Sequence, residues 1–69
     1  MHLTIETERE DDGRWLAEVP ELPGCLAYGA SKDEARAAAM ALALHTLADR
    51  IEHGEAMPEG FAVRFDTAA

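Results

Sequence analysis

Residues 31–54 read SKDEARAAAMALALHTLADRIEHG, and this stretch determines the rest of the fold. Ser31 precedes Glu34 by three residues, the spacing of a capping box in which hydroxyl and carboxylate bind free amide groups at a helix start. Asp33 and Glu34 stand where the helix dipole favours anions, and the alanine-rich centre has high helix propensity. Gly54 can adopt the left-handed conformation that ends a helix. The stretch therefore predicts a helix over residues 32–53.

The apolar side chains of this helix recur at helical spacing. At 100° per residue, four large side chains form one stripe with three alanines beside it, and polar residues lie opposite. The stripe comprises Met40, Leu44, Leu47 and Ile51, the alanines are Ala37, Ala43 and Ala48, and the polar residues are His45, Asp49, Glu52 and His53. We expect the stripe to face a β-sheet, because the small alanines beside it allow close approach.

Alternation of apolar and polar residues predicts strands before the helix. Gly13 ends an acidic turn that joins the first two strands as a β-hairpin, and Pro20 and Pro23 interrupt the ladder before the third. Trp15 shares a strand face with two smaller apolar residues, which favours a place in the core over one in an interface. The three strands are predicted over residues 2–8, 14–19 and 25–29.

After the helix, residues 61–66 read FAVRFD and alternate again, which predicts a fourth strand. The chain is thus expected to be a single α+β domain over residues 1–69 with the order β-β-β-α-β. Its sheet is mainly antiparallel and carries one long helix on one face. A right-handed crossover through the helix makes the third and fourth strands parallel.

Length and charge limit the function. The chain has 69 residues, with 14 acidic side chains against 6 Lys plus Arg, for a net charge of −8. A chain this short forms one modest core and cannot form a TIM barrel or a dinucleotide-binding fold. Its charge repels phosphate backbones over a Debye length of about 8 Å, which counts against direct nucleic-acid binding. A basic protein partner fits this charge better.

The cysteine content, the N-terminal segment and the length of the apolar stretches indicate the cellular location. Cys25 is the single cysteine, so no internal disulfide forms, and no N-terminal segment resembles a signal peptide. Charged residues interrupt the apolar stretch of the helix well short of the roughly 18 residues that a membrane span requires. We expect a cytoplasmic protein with no membrane association.

Three groups of residues have side chains of the types used in catalysis or metal binding. Carboxylates could hold the two metals of a ribonuclease-H-type nuclease, but Glu6 and Glu8 share one strand face and do not converge with the helix carboxylates. His45 and His53 are about 12 Å apart along the helix, too far for one zinc ion. Cys25 has no histidine near it in sequence and is expected to be a small buried residue. We therefore expect no catalytic residue, cofactor or metal site.

Several motifs in order carry a resemblance to a known family. They are the strand from Trp15 to Val19, the PELPGC turn of residues 20–25, Tyr28-Gly29, the capping Ser31, and the helix exit GEAMP of residues 54–58. This pattern resembles the HicB-like antitoxin family over nearly the whole chain. The resemblance implies a partial ribonuclease-H-like domain without nuclease activity, which binds and blocks a small basic ribonuclease toxin of HicA type.

Many members of that family also carry a C-terminal DNA-binding domain. This sequence departs from that pattern, because it ends after the fourth predicted strand, which puts repression of its own operon through DNA in doubt. It is a stand-alone antitoxin, a member with another role, or a fragment. The main hypothesis is an antitoxin-like module of a type II toxin–antitoxin system. The alternative is a homo-oligomeric structural or regulatory domain with an unidentified small ligand or protein partner.

Partner-binding residues are expected in two places. An acidic surface can compete for the Lys and Arg side chains of a ribonuclease and accelerate the encounter, although such a run can also serve only solubility. The loop of residues 20–24 is expected to be rigid and exposed, and either recognises a partner or only turns the chain. The candidates are Glu6, Glu8, Glu10, Asp11 and Asp12 on the first strand and turn, and Leu22 and Pro23 on the loop.

Self-association is also expected. One helix covers only one face of a four-stranded sheet, which leaves an apolar face and two edges exposed. Leu16, Leu26 and Tyr28 need burial that a single helix does not fully provide. We expect at least a homodimer.

Overall fold

A computed structural model of the chain describes residues 1–55 and 62–68. It contains four strands and one helix in the predicted order, so the α+β fold class is confirmed. The elements are β1 (His2–Arg9), β2 (Trp15–Glu18), β3 (Leu26–Gly29), α1 (Lys32–Glu52) and β4 (Arg64–Thr67). The fourth strand begins at Arg64 rather than at residue 61, and Phe61 lies outside the described residues.

The four strands form one mixed sheet in the order β3-β2-β1-β4. β2 pairs antiparallel with both β1 and β3, whereas β4 pairs parallel with β1. β3 and β4 therefore run in the same direction, as predicted for strands joined by a helical crossover, but they lie at opposite edges. The β1–β4 ladder continues beyond the strand at both ends, because Arg64 N–H donates to Met1 O and Ala68 N–H donates to Ile5 O, each at 2.9 Å.

Both ends of the helix are capped as its sequence predicts. The Ser31 hydroxyl accepts the Glu34 N–H at 3.1 Å, and the Glu34 carboxylate accepts the Ala30 N–H at 3.0 Å. At the other end Gly54 has φ +79°, its N–H donates to Ile51 O, and the next N–H donates to Arg50 O. These two bonds form a Schellman motif, which satisfies carbonyls left free at a helix end.

The helix faces the sheet mainly with alanines. The predicted stripe of large residues was right for Leu47, which is buried, and for Met40, which packs against the core, and wrong for Leu44 and Ile51. The buried positions follow an i, i+4 row of Ala35, Ala39, Ala43 and Leu47. Leu44 is 48% exposed and Ile51 is 51% exposed, although the prediction placed both against the sheet. The row of small residues allows the helix to lie close to the sheet. At the helix start a Cβ at Gly29 would lie 2.5 Å from Ala35 N, which leaves no space there for large side chains.

The inner face of the sheet and the loop of residues 20–25 complete the core. Leu3, Ile5, Ala17 and Val19 are fully buried, and Trp15 packs against them as predicted. Among the described residues, no helix is long and apolar enough to cross a membrane.

Leu22 is the one predicted partner residue that the structure places in the core. It is 2% exposed, not exposed as predicted. The loop folds back because Leu22 N–H donates to Val19 O at 3.0 Å and Cys25 N–H donates to Leu22 O at 2.9 Å. Cys25 is buried beside it, its thiol lies 3.7 Å from Ala39 O, and burial raises the pKa of that thiol.

Candidate partner-binding surface

The sheet face away from the helix carries the most distinctive group of side chains, which we call the outer face. Neighbouring side chains of a strand point to opposite faces, so the residues next to buried Ile5 and Ala17 point outward. The outer face comprises Glu6 and Glu8 of β1, Leu16 and Glu18 of β2, and Leu26 and Tyr28 of β3.

Strand register arranges these six side chains in two rows. In one row Glu8 pairs with Leu16, which pairs with Tyr28; in the other, Glu6 pairs with Glu18, which pairs with Leu26. The β3 side of the outer face is therefore apolar, with Leu26 41% exposed and Tyr28 47% exposed. The β1 side is acidic.

The three outer-face carboxylates surround Leu16. A groove of about 100 Å³ is lined by Leu16 and by the β1 and β2 residues around it, Glu6, Thr7, Glu8 and Glu18. Like charges directly opposite each other on a sheet destabilise the pairing. Within residues 1–55 and 62–68, the ion pairs formed do not involve any of these three carboxylates. Their charge is thus directed at the solvent.

The far end of the same face is charge-balanced by contrast. Asp66 of β4 accepts from the His2 ring, and Arg64 Nε lies 3.4 Å from the other Asp66 oxygen. His2 lies opposite Arg64 in the β1–β4 ladder, and Asp66 lies two residues further along β4, opposite Thr4. The uncompensated charge is therefore confined to the part of the outer face formed by β1 and β2.

The turn between β1 and β2 adds acidic residues next to Tyr28. Asp12 accepts the Arg14 N–H at 3.0 Å and the Arg14 Nε at 2.7 Å, and these hydrogen bonds, the backbone one first, lower the pKa of Asp12. The Arg14 guanidinium lies 4.5 Å from the centre of the Tyr28 ring. A concavity of about 300 Å³ is lined by these three residues with Glu10 and Asp11. Arg14 thus joins the turn to the apolar side of the outer face.

The other end of β2 is held by Glu21. Its carboxylate accepts the Thr4 N–H at 2.9 Å, and this backbone hydrogen bond lowers the pKa of Glu21. Thr4 lies beyond the part of β1 that pairs with β2, so Glu21 satisfies an amide that the ladder does not reach. The loop of residues 20–25 is therefore fixed to the sheet.

The predicted partner residues fall into three places. Glu6 and Glu8 lie on the outer face, Glu10, Asp11 and Asp12 lie in the adjoining turn, and Pro23 is exposed in the loop at the opposite end of β2. Leu22 contributes to the core instead. The sequence prediction missed Glu18 as a member of the acidic group, although the alternation of β2 places it on the same face as Leu16.

The polar face of the helix forms contacts within itself. His53 Nδ1 lies 2.7 Å from Asp49 O and 3.2 Å from Asp49 Oδ1. Within the ranges described, no group of three or more His, Cys, Asp or Glu is placed to hold a metal ion.

Comparisons with known proteins find no matching protein family, curated protein or solved structure. Among the described residues, the surface combines three carboxylates that have no cationic partner with an exposed apolar strip.

Proposed function

We propose that this chain is a HicB-like antitoxin module of a type II toxin–antitoxin system, acting in the cytoplasm on a small basic ribonuclease of HicA type. In this proposal it has no catalytic activity and no cofactor, and it covers the RNA-binding surface of the toxin. The observation that supports the proposal is the group of Glu6, Glu8 and Glu18, which carry no ion pair among the described residues.

The proposed mechanism is competition for the cations that grip RNA. A ribonuclease holds phosphates with Lys and Arg side chains, and carboxylates placed at strand spacing can occupy the same cations. The repulsion between Glu6 and Glu18 is relieved when a cation lies between them. Leu16, Leu26 and Tyr28 supply apolar contact area beside the charges, as in the centre of stable interfaces. Attraction at long range accelerates the encounter.

The proposal is tested with a candidate toxin, a HicA-type protein from a neighbouring reading frame. The two chains are co-purified, and cleavage of a radiolabelled RNA is followed at increasing concentrations of this chain. We expect full inhibition by the wild-type chain and about tenfold weaker inhibition by the Glu6→Gln, Glu8→Gln, Glu18→Gln triple variant. The association rate is expected to fall steeply with added salt.

A matched control separates the surface from net charge. The Asp33→Asn, Glu52→Gln, Glu55→Gln variant removes the same number of exposed carboxylates outside the outer face and should inhibit as the wild type does. Cleavage that continues unchanged with excess wild-type chain overturns the antitoxin proposal. Equal loss in both triple variants leaves only a net-charge effect and rejects the outer face as the site.

The second candidate is a homo-oligomeric structural or regulatory domain. It is favoured by an exposed row on the helix, the helix stripe, formed by Ala37, Ala41, Leu44, Ala48 and Ile51. The spacing alternates between four and three residues, as in the seam of a coiled coil. We propose that two copies pair through this stripe, in the antitoxin as well as in the alternative. The absence of a short basic neighbouring reading frame would favour the alternative.

A further inference from the structure

β3 is an edge strand that lacks the usual protection against pairing. It lies at the end of the sheet, and its sequence LAYG contains neither a charged residue nor a proline. Proteins commonly protect their sheet edges with such residues. The opposite edge follows that rule, because β4 carries Arg64 and Asp66. The two edges of the sheet therefore differ in their capacity to accept another strand.

Within residues 1–55 and 62–68, the backbone of β3 has hydrogen-bonding groups without a partner at this edge. Val19 N–H donates to Cys25 O at 2.9 Å. Along the ladder, the backbone N–H and C=O groups of odd-numbered β3 residues therefore point toward β2, and those of even-numbered residues point toward the free edge. Leu26 N–H is satisfied by Gly24 O, and Ala30 N–H is satisfied by Glu34. The Leu26 carbonyl and both backbone groups of Tyr28 remain directed away from the sheet.

Charge determines which occupant suits this edge. A strand added to β3 lies two strand spacings, about 10 Å, from β2. A long side chain of that added strand, on the outer face of the sheet, therefore reaches across Leu26 toward Glu18. That position favours Lys or Arg. A second copy of this chain instead brings another acidic protein, of net charge −8, against the same face.

We propose that the β3 edge accepts an extended segment of a basic partner by strand addition, with a Lys or Arg opposite Leu26 whose side chain faces Glu18. The identity of the partner rests on the proposed antitoxin function, whereas the mode of binding rests on the β3 edge. Main-chain hydrogen bonds to Tyr28 supply affinity, and the alternating side chains supply specificity.

The test uses a short capped peptide in which lysine and valine alternate, with a glutamate–valine peptide as its acidic counterpart. Binding to the ¹⁵N-labelled chain is followed by NMR. Chemical synthesis gives two variants, each with one N-methylated backbone amide. The first is methylated at Tyr28, whose N–H points to the free edge of β3. The control is methylated at Thr67, whose N–H points to the free edge of β4, because the N–H groups of Arg64 and Ala68 point to β1. Unchanged spectra elsewhere verify that each variant is folded.

We expect the lysine peptide to shift the amide signals of β3, with about tenfold weaker binding after methylation at Tyr28 and no change after methylation at Thr67. Glu18→Gln should also weaken binding, and the glutamate peptide should not bind. Equal affinity in the two methylated variants, equal binding of both peptides, or no binding at millimolar peptide overturns the proposal. If the Tyr28 amide signal shifts with the concentration of the chain in the absence of peptide, the edge pairs with a second copy, and the proposal is also overturned.

The same variants separate this proposal from the antitoxin function. If the N-methyl Tyr28 chain inhibits the toxin as well as the wild type does, the function stands and strand addition is wrong. If the peptide binds at β3 but no ribonuclease is inhibited, strand addition stands and the function is wrong.

Discussion

Glu6 of β1 lies directly opposite Glu18 of β2 on the outer face of the sheet. Both side chains are exposed, and like charges in this arrangement lower the stability of a strand pair. Folding alone would favour an opposite charge or a β-branched residue at either position. A sequence that keeps two carboxylates here loses stability, as is common where a surface is shaped for binding.

The first prediction concerns this pair. Glu18→Gln should raise the free energy of unfolding by roughly 0.5 kcal/mol, because it removes repulsion from Glu6 without changing side-chain size. The measurement is urea denaturation at low salt, repeated at about 0.5 M salt, where the gain should shrink because the charges are screened. The control is Asp11→Asn, an exposed carboxylate in the turn between β1 and β2 and away from both helix ends, which should leave the midpoint unchanged. A Glu18→Gln chain less stable than the wild type would contradict the repulsion.

The local features of the fold were predicted well from sequence because they depend on neighbouring residues. The capping Ser31, the Gly54 stop and the strand alternation each involve interactions within a few positions of the chain. The pairing of β4 with β1 was not predicted, because nothing in either strand specifies its neighbour at a distance.

The buried face of the helix was predicted only in part: Leu47 and Ala43 are buried as predicted, whereas Leu44 and Ile51 are exposed. Periodicity located the largest side chains correctly, but it does not determine how close the helix lies to the sheet. Gly29 and the row beginning at Ala35 permit an approach that large residues would prevent. The prediction that Leu22 is exposed was also wrong. Its loop folds inward through backbone hydrogen bonds that the proline positions in the sequence do not predict.

The second prediction tests that close approach. Gly29→Ala should lower the free energy of unfolding by about 3 kcal/mol, because the added methyl group meets the backbone of Ala35 and Glu34, which cannot rotate away. Gly13→Ala is the comparison: its φ of +90° is strained for alanine, but nothing lies within 4 Å, so a loss of about 1 kcal/mol is expected. Equal urea midpoints for the two variants would show that β3 and the helix are not in tight contact.

The third prediction concerns pH. The hydrogen bond from Thr4 N–H lowers the pKa of Glu21 from its ordinary value of 4.5, so ionised Glu21 stabilises the fold. This contribution is fully present above the ordinary pKa and is lost as pH falls through the lowered value. Glu21→Gln should therefore be less stable than the wild type at about pH 7, and the difference should shrink toward about pH 3.

The measurement is the difference between the urea midpoints of the wild-type chain and the Glu21→Gln variant at each pH. NMR titration of the Glu21 carboxyl group measures its pKa directly. A gap that stays constant or widens in acid would reject the role given to this hydrogen bond. Asp12→Asn provides a parallel case, because its hydrogen bonds from Arg14 lower the pKa of Asp12 in the same direction.

The fourth prediction concerns self-association through the helix stripe. Leu44 and Ile51 leave large apolar areas exposed, and the three alanines of the stripe allow a second helix to approach closely. We expect the wild-type chain to be a dimer at micromolar concentration by light scattering, and Leu44→Glu to be a monomer because it places a charge in the seam. Leu42→Glu makes the same change roughly 160° around the helix and should remain a dimer. A monomeric wild-type chain, or equal dissociation of the dimer in both variants, would exclude the helix stripe as the dimer interface. Toxin inhibition by a monomeric Leu44→Glu chain would show that dimer formation and partner binding use separate surfaces.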